Sequence, residues 1–570
     1  MEITTREGLK YIEYNLEPRV KAYYGYDILD SFLDVLNQYK YDKIFFISEE
    51  FIYNLHGKEF VTNLESHNVN YEVLLIECME KNKTFKNVDS ICNYLINHKI
   101  SKDSVVISFG GGVVGNITGL VAGLIYRGVP YIEIPTTFMG LTDSSLSHKQ
   151  AVNGDSGKNQ IGRYYAPLFI WSDIKYVETE DARNIKAAIV EGVKNTLIQD
   201  KELLEELAFF IKGKKNFDKD ELLHLFETIT QSKNRILSVD PTEKNYCVIL
   251  EYGHTFGHAI EFLTSGEIVH GEAVAIGMCV AAEISFQLGK ISREDVELHY
   301  QIFGDLVFKN NKSVKNIKNL AIGAIMRAIQ SDNKRTSAGI KYVILDAIGT
   351  CAEEDGGWQI HVDEELVTSC MKEAFHRILT FEAEEVIERA IVTYKNKKLE
   401  TVEAVLDYYF DDKYDKELFQ DAYIAHIGIY ISDYEDESFI EEVKSYLENA
   451  KDKKITNLAY GPTYISPKHY GTPGWWFSFQ ILSENVDVEL FTCRNYGSWS
   501  EYSADKKTTL MSHYAIGVKN KEDFYKIYDA IKENDNFEAF VLTENDVVGH
   551  TYAHFKNKKT LDVLEVILMS

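Results

Sequence analysis

Short apolar runs punctuate the first third of the chain: 43–48 (KIFFIS), 71–76 (YEVLLI), 103–109 (DSVVISF) and 131–134 (YIEI). Runs of this length between polar, helix-compatible stretches predict buried strands. The third run enters Gly110, Gly111 and Gly112, and an amphipathic pattern follows to about Tyr126. Strand, glycine turn, helix and strand make a βαβ unit, so a parallel α/β domain is expected over 1–175. Helical patterns then take over (DARNIKAAIVEGVKNTLIQ, ELLHLFETITQSKNRILSV, NYCVILEYGHTFGHAIEFL, EAVAIGMCVAAEISFQLG), predicting an all-helical domain over 176–370. Residues 371–420 are charged and helical in pattern and are expected to form a connector. From 421 to 570, strands such as HIGIYIS, DVELFTC and DVLEVIL are broken by Gly, Pro and Asn, predicting an α+β domain.

A chain of 570 residues suits two to four domains. The formal charge of −27 disfavours nonspecific binding to nucleic acid or an anionic membrane. An anionic substrate therefore needs a local cationic cluster. The seven cysteines are dispersed, odd in number and without a CxxC, which predicts reduced thiols and a cytoplasmic protein. The first residues (MEITTREGLKYIEYNLEPR) have no apolar signal core, and no uninterrupted apolar stretch is long enough to span a membrane.

A strand that delivers three glycines to a helix N-terminus offers bare N–H groups to a pyrophosphate, although an ordinary βα turn would look the same. Glu80 and Lys83 before it, and Thr136 and Thr137 after the next strand, add polar groups at successive strand ends, where open α/β sheets bind ligands. The stretch EYGHTFGH puts His254 and His258 one turn apart on one helix face, His270 opens the next helix, and Glu191 offers a carboxylate. Glu with two His, leaving open positions, suits a catalytic divalent ion. Residues 143–159 are dense in anion-binding groups (Lys149, Asn153, Lys158, Asn159), to which Arg127, Lys194, Lys233 and Lys334 add charge.

The ordered set FGGGVVGNITGLVAG, IPTTF, DSSLSHKQAVN with SGKN, EGVKN, EYGHTFGHAIE, HGEAVAIGM and DNKR resembles the dehydroquinate-synthase-like sugar-phosphate cyclases over about 40–340. The resemblance implies Zn²⁺ or Co²⁺ on Glu191, His254 and His270. It implies NAD held by Glu49, Glu80, Lys83, Gly110, Gly111, Gly112, Asn116, Thr136, Thr137, Asp143, Lys149 and Lys158. Around the substrate it places Lys194, His258, Glu251, Asp143, Lys149, Asn159, Lys233 and Lys334, with Arg127 reaching a neighbour's site in a homodimer. Dehydroquinate synthases carry Asn at the Glu251 position and Arg at the Cys247 position, serving a substrate carboxylate. Glu251 would repel that group yet accept hydrogen bonds from sugar hydroxyls. Together with KQAVN and SGKN this is similar to the 2-deoxy-scyllo-inosose synthases, which implies glucose 6-phosphate as substrate and aminocyclitol antibiotic biosynthesis as the setting. The implied reaction is transient oxidation, phosphate elimination, re-reduction and intramolecular aldol closure, a carbon–oxygen lyase that consumes no NAD. A heptulose-phosphate cyclase, 3-dehydroquinate synthase and a metal-dependent NAD alcohol dehydrogenase remain the alternatives.

In the last domain His426 lies in one strand and Glu489 in another, then His513 and Glu565 repeat the arrangement. Tandem units of this kind resemble the vicinal-oxygen-chelate fold of paired βαβββ modules. That resemblance implies a second divalent metal on His426, Glu489, His513 and Glu565, and isomerisation of the cyclic ketone. A ligand-binding module without chemistry is the alternative.

Overall fold

The computed structural model describes residues 9–14, 19–154, 157–240, 243, 245–309, 311–331, 340–397, 399, 401–411, 413–434, 437–450, 455–463, 473–481, 487–494, 513–546, 549–560 and 562–569. It divides into two compact units, Met1–Ile378 and Leu379–Ser570. Among the described residues no helix is long and apolar enough to cross a membrane.

The first unit is built on strands β1 (Lys10–Tyr14), β2 (Val20–Gly25), β3 (Ile44–Ser48), β4 (Tyr71–Leu75), β5 (Val105–Gly110), β6 (Tyr131–Pro135), β7 (Lys149–Gly154), β8 (Gly157–Tyr164) and β9 (Phe169–Asp173). Seven of them form one sheet in the order β1-β2-β9-β6-β5-β3-β4, with β7 and β8 a separate hairpin. Within that sheet, among the described residues, only the β1–β2 pair is antiparallel. Strands β3, β5, β6 and β9 are buried along their whole length, which is why β3, β5 and β6 read as mostly apolar runs rather than alternating ones. The chain leaves β3 outward to β4 and returns to β5 on the other side of β3. The sheet therefore reverses direction between β3 and β5, and their carboxyl ends open a crevice where ligands bind in such sheets.

Helix α1 (Gly112–Leu124) starts in that crevice. The helical part follows with α2 (Ala182–Leu197), α3 (Lys219–Val239), α4 (His254–Leu263) and α5 (His270–Gln287). It belongs to the same compact unit as the sheet, so the expected division at 175/176 separates layers of one body. The stretch 245–263, expected as one helix, is broken: a 3₁₀ turn covers Tyr246–Glu251, and Gly253 turns left-handed at φ 77° before α4 begins.

In the second unit the stretch expected as a connector is core. The unit boundary falls within helix α6 (Glu364–Lys397), whose Ala383, Ile387, Ala390 and Ile391 pack with Ile427, Ile429 and Leu490. Helix α7 (Val402–Phe410) packs Val405, Leu406, Tyr409 and Phe410 against Ile516, Phe524 and Leu564. The alternation of charged and apolar residues that suggested a connector is the pattern of helices with one face on a sheet. Two βαβββ repeats follow: β10 (Tyr423–Tyr434), α8 (Ser438–Asn449), β11 (Ile455–Pro462), β12 (Gly474–Ile481) and β13 (Asp487–Arg494), then β14 (His513–Val518), α9 (Lys521–Lys532), β15 (Phe537–Thr543), β16 (Thr551–Asn557) and β17 (Val563–Leu568). They share one sheet in the order β11-β12-β13-β10-β14-β17-β16-β15. First and last strands of each repeat run parallel, and the two first strands meet antiparallel.

Candidate active site

Glu191 and Lys194 sit on the inner face of α2, both buried. Glycines bring the histidine helices to them. A Cβ on Gly253 would lie 2.5 Å from Met278 Cγ and 2.8 Å from Val274 O, so the left-handed turn that sets His254 at the head of α4 needs glycine twice over. A Cβ on Gly271 would lie 1.9 Å from Ala187 O, one helical turn before Glu191. That close approach docks His270, the first residue of α5, against α2. Glu272 closes the start of α5 by accepting from Val269 N at 3.1 Å, and Arg183 holds it through Nε at 2.6 Å and Nη2 at 2.7 Å.

Glu191 Oε1 lies 3.6 Å from His254 Nε2 and 3.5 Å from His270 Nε2. This oxygen is buried with no hydrogen-bond partner, while Oε2 takes the Lys194 ammonium. A tetrahedral ion with bonds of about 2.0–2.1 Å has ligand–ligand edges of about 3.3–3.5 Å, so the trio fits a divalent ion. Both rings are backed on Nδ1, His254 by Tyr252 O at 3.3 Å and His270 by Glu261 Oε2 at 3.2 Å, which leaves Nε2 for the ion. Burial and Lys194 push His254 down to about 4. Burial opposes charge on His270, but Glu191 and Glu261 prevail and raise it to about 10. A divalent ion there requires both rings unprotonated on Nε2. His258 stands beside the trio, its ring 5.2 Å from His254 and 5.8 Å from His270 between centroids. Glu261 was not singled out from sequence, although it follows His254 and His258 at helical spacing.

The hairpin β7–β8, unforeseen from sequence, presents Lys149, Asn153, Lys158 and Asn159, which were expected to bind an anion. Lys149 pairs with Glu243, and Lys158 Nζ with Glu261 Oε1 at 2.7 Å. Lys233 Nζ meets Asp143 Oδ1 at 2.5 Å and its carbonyl at 3.0 Å. Lys83 Nζ donates to Asn159 Oδ1 at 2.6 Å, Asn153 Nδ2 to Glu80 Oε1 at 2.9 Å, and Asn159 N to Asn153 Oδ1 at 2.9 Å. Half-buried Glu251 lies close enough to His254 and Lys149 to raise the proton affinity of each. Gly110 ends β5, Gly111 precedes α1 and Gly112 opens it. Thr137 accepts from Gly140 N at 3.1 Å, while the buried hydroxyls of Thr136, Ser144 and Ser145 have no partner. Those orphaned hydroxyls beside the glycine turn fit a polar cofactor. Glu49 follows β3 directly, its carboxyl raised by burial. Asn116 Oδ1 is instead engaged by Ala151 N at 3.4 Å, tying α1 to the hairpin. Arg127 is exposed beyond the far end of α1, about 20 Å of helix from Gly112. It does not join this cluster. Lys334 lies outside the described residues.

Residues 73–187 match the family model of the N-terminal part of 3-dehydroquinate synthase, and 188–335 that of its C-terminal part. The 3-dehydroquinate synthase of Thermoanaerobacter pseudethanolicus is 33% identical over 346 residues, 60% of this chain and 95% of that protein. The chain belongs to the 3-dehydroquinate synthase family. The 2-deoxy-scyllo-inosose synthase of Streptomyces kanamyceticus is 29% identical over 354 residues, covering 61% of this chain and 90% of that one. A crystal structure of 2-deoxy-scyllo-inosose synthase with carbaglucose-6-phosphate, NAD⁺ and Co²⁺ superimposes with TM-score 0.59 at 27% identity, over 64% of this chain and all of that one. The 2-epi-5-epi-valiolone synthase of Streptomyces hygroscopicus shares the fold, with TM-score 0.56 at 19% identity.

Past the residues that match the 3-dehydroquinate synthase family models, the second unit gathers its own cluster. Strand β10 carries His426, β14 opens on His513 and β17 carries Glu565. Glu565 Oε2 lies 3.2 Å from His426 Nε2 and 2.9 Å from His513 Nε2, and the two imidazole nitrogens are 3.1 Å apart. These three ligand atoms all lie within 4.8 Å of one another. Glu489 Oε2 approaches His426 Nε2 at 3.0 Å but stands outside that mutually close trio. Buried His554 of β16, not singled out from sequence, sets Nε2 3.4 Å from Glu565 Oε2 and leaves Nδ1 without a partner. The repeat is asymmetric here: Ser478 faces Glu489 in register where His554 faces Glu565. Burial opposes charge on His426, but Glu489 and Glu565 raise it to about 9, while burial lowers His513.

Proposed function

We propose that the first unit of this sugar-phosphate cyclase acts on an aldose phosphate of the glucose 6-phosphate type, releasing phosphate and a carbocyclic ketone, 2-deoxy-scyllo-inosose. The observation that carries the reading is Glu251, within electrostatic range of His254 and Lys149. A carboxylate there suits a substrate that offers hydroxyls and would repel one that offers a second carboxylate. Cys247, where dehydroquinate synthases have a cation, spends its thiol on Asp240 O at 3.3 Å.

Glu191, His254 and His270 would hold Zn²⁺ or Co²⁺. Loop 80–83, the glycine turn and Thr136 would hold NAD. When bound, the ion supplies Lewis-acid polarisation of a ring hydroxyl and the nicotinamide a reversible hydride acceptor. Lys194 and His258, beside the ion trio, move protons at the reacting oxygens. Lys149, Lys158 and Lys233 supply the cationic field for phosphate, offsetting locally the acidic whole. Arg127, exposed on this protomer, would serve a neighbouring site in a homodimer.

The test is a substrate panel with NAD and Co²⁺, read as phosphate release. Glucose 6-phosphate is expected to be consumed fastest. Preference for a heptulose phosphate, or for a phosphorylated sugar acid, would move the assignment to those cyclases, and accumulating NADH would indicate a dehydrogenase.

For the second unit the proposal is a vicinal-oxygen-chelate-like domain that holds a second divalent ion on His426, His513 and Glu565 with Glu489 alongside, and that isomerises the cyclic ketone. Its support is the paired βαβββ repeat and the converging ligand trio. Metal analysis of the full chain is expected to find two ions, falling to one in His254→Ala and to the other one in His513→Ala. The latter should leave phosphate release unchanged and alter the final product. Two ions retained in His513→Ala, or identical products, would leave the second unit as a binding module.

A further inference from the structure

We propose that Glu261 is a positioning residue that couples occupancy of the divalent-ion site to affinity for the cofactor, through the contacts His270–Glu261–Lys158. The inference rests on the reading of the ion and NAD sites given above and concerns how they act on each other. Glu261 divides its carboxylate between the two halves of the first unit: Oε2 lies 3.2 Å from His270 Nδ1 and Oε1 2.7 Å from Lys158 Nζ. Lys158 belongs to β8, and its Nζ reaches to 3.9 Å from Glu80 Oε1. The neighbouring contacts, Asn153 to Glu80 at 2.9 Å and Lys83 to Asn159 at 2.6 Å, join the hairpin to loop 80–83. A continuous polar chain thus leads from an ion ligand on α5, through α4, to the loop expected to hold NAD.

An imidazole that binds an ion through Nε2 keeps its proton on Nδ1 and needs an acceptor there. Glu261 is that acceptor. An ion fixes the ring, the ring fixes the carboxylate, and the carboxylate fixes Lys158 beside Glu80. An ion would add a bond at Nε2 to the contacts that already hold the ring, and so restrict the chain of side chains further. Whichever ligand binds first therefore completes part of the ordering the other requires, which makes the coupling positive and equal in both directions.

The test uses the full chain stripped with a chelator. NAD affinity is measured by calorimetry with and without Co²⁺, and Co²⁺ affinity with and without NAD. Each ligand is expected to tighten the other by the same factor, at least about 5-fold. Glu261→Gln and Lys158→Gln should each bring the factor close to one, whatever either does to the affinity for a single ligand, and Glu261→Asp should keep part of it. Lys158 is 38 % exposed, so its replacement leaves the core intact. A factor of one in the unaltered chain, or an undiminished factor in both variants, would overturn the proposal. Failure of the unaltered chain to bind Co²⁺ or NAD at all would overturn the site reading itself, and the coupling with it.

Discussion

Single side chains carry the chemistry, and their legibility in the sequence follows their residue type. His254 and His270 stand out because two imidazoles in glycine-flanked motifs are rare. Glu261, Glu243 and His554 did not, because one acid on a helix or one histidine in a strand is ordinary until its partner is known. In the proposed reading, substrate choice turns on Glu251. Glu251→Asn should lower kcat/KM on glucose 6-phosphate by about 10- to 100-fold, the worth of a charge-assisted hydrogen bond of about 1.5–3 kcal/mol. Unchanged kinetics would remove the basis for the sugar assignment. A second residue-scale expectation concerns Glu133, buried in β6, whose carboxyl burial pushes from 4.5 up to about 8 against a weak contact from Tyr131 OH. Between those two values the folded chain keeps a proton that the unfolded chain releases, so its contribution to stability declines as pH rises through that window. Glu133→Gln cannot ionise. Its melting temperature should exceed that of the parent by a few degrees at pH 8.5 and by much less at pH 5. Parallel curves would show that Glu133 ionises freely in the fold.

At the scale of elements, β3, β5 and β6 were readable because strands buried on both faces are uniformly apolar, and the glycine turn because it joins two such strands through a helix. The hairpin β7–β8 was not. Its residues are mostly polar, and Val152 is the one β7 side chain in the apolar core, so no period-2 apolar pattern marks it. The break at Gly253 was hidden by the apolar periodicity on either side, which runs through the turn without a Pro to flag it. Packing between α5 and α2 sets the spacing of Glu191 and His270, and Gly271 is a close point of that packing. Gly271→Ala must push α5 away from Ala187, separating His270 from Glu191. Co²⁺ affinity is expected to fall more than 10-fold, as loss of ligand geometry commonly does, with far-ultraviolet circular dichroism little changed. Full Co²⁺ affinity in this variant would mean that the helices do not fix the trio.

For the whole molecule, the sequence separated an α/β layer, a helical layer and a final α+β region, and the structure gathers the first two into one compact unit. The supposed connector was misjudged because charge on one helix face says nothing about the apolar stripe on the other. Ala383, Ile387, Ala390 and Ile391 recur at helical spacing and belong to the second core. The central claim is that the first unit oxidises its sugar only in passing and returns the same hydride. Glucose 6-phosphate deuterated at C4 tests it, with NAD and Co²⁺ and the product analysed by mass spectrometry. The expected result is a carbocyclic ketone that keeps the deuterium, one phosphate per turnover and no lasting NADH absorbance. Deuterium found in released NADH, or a product without it, would contradict the claim.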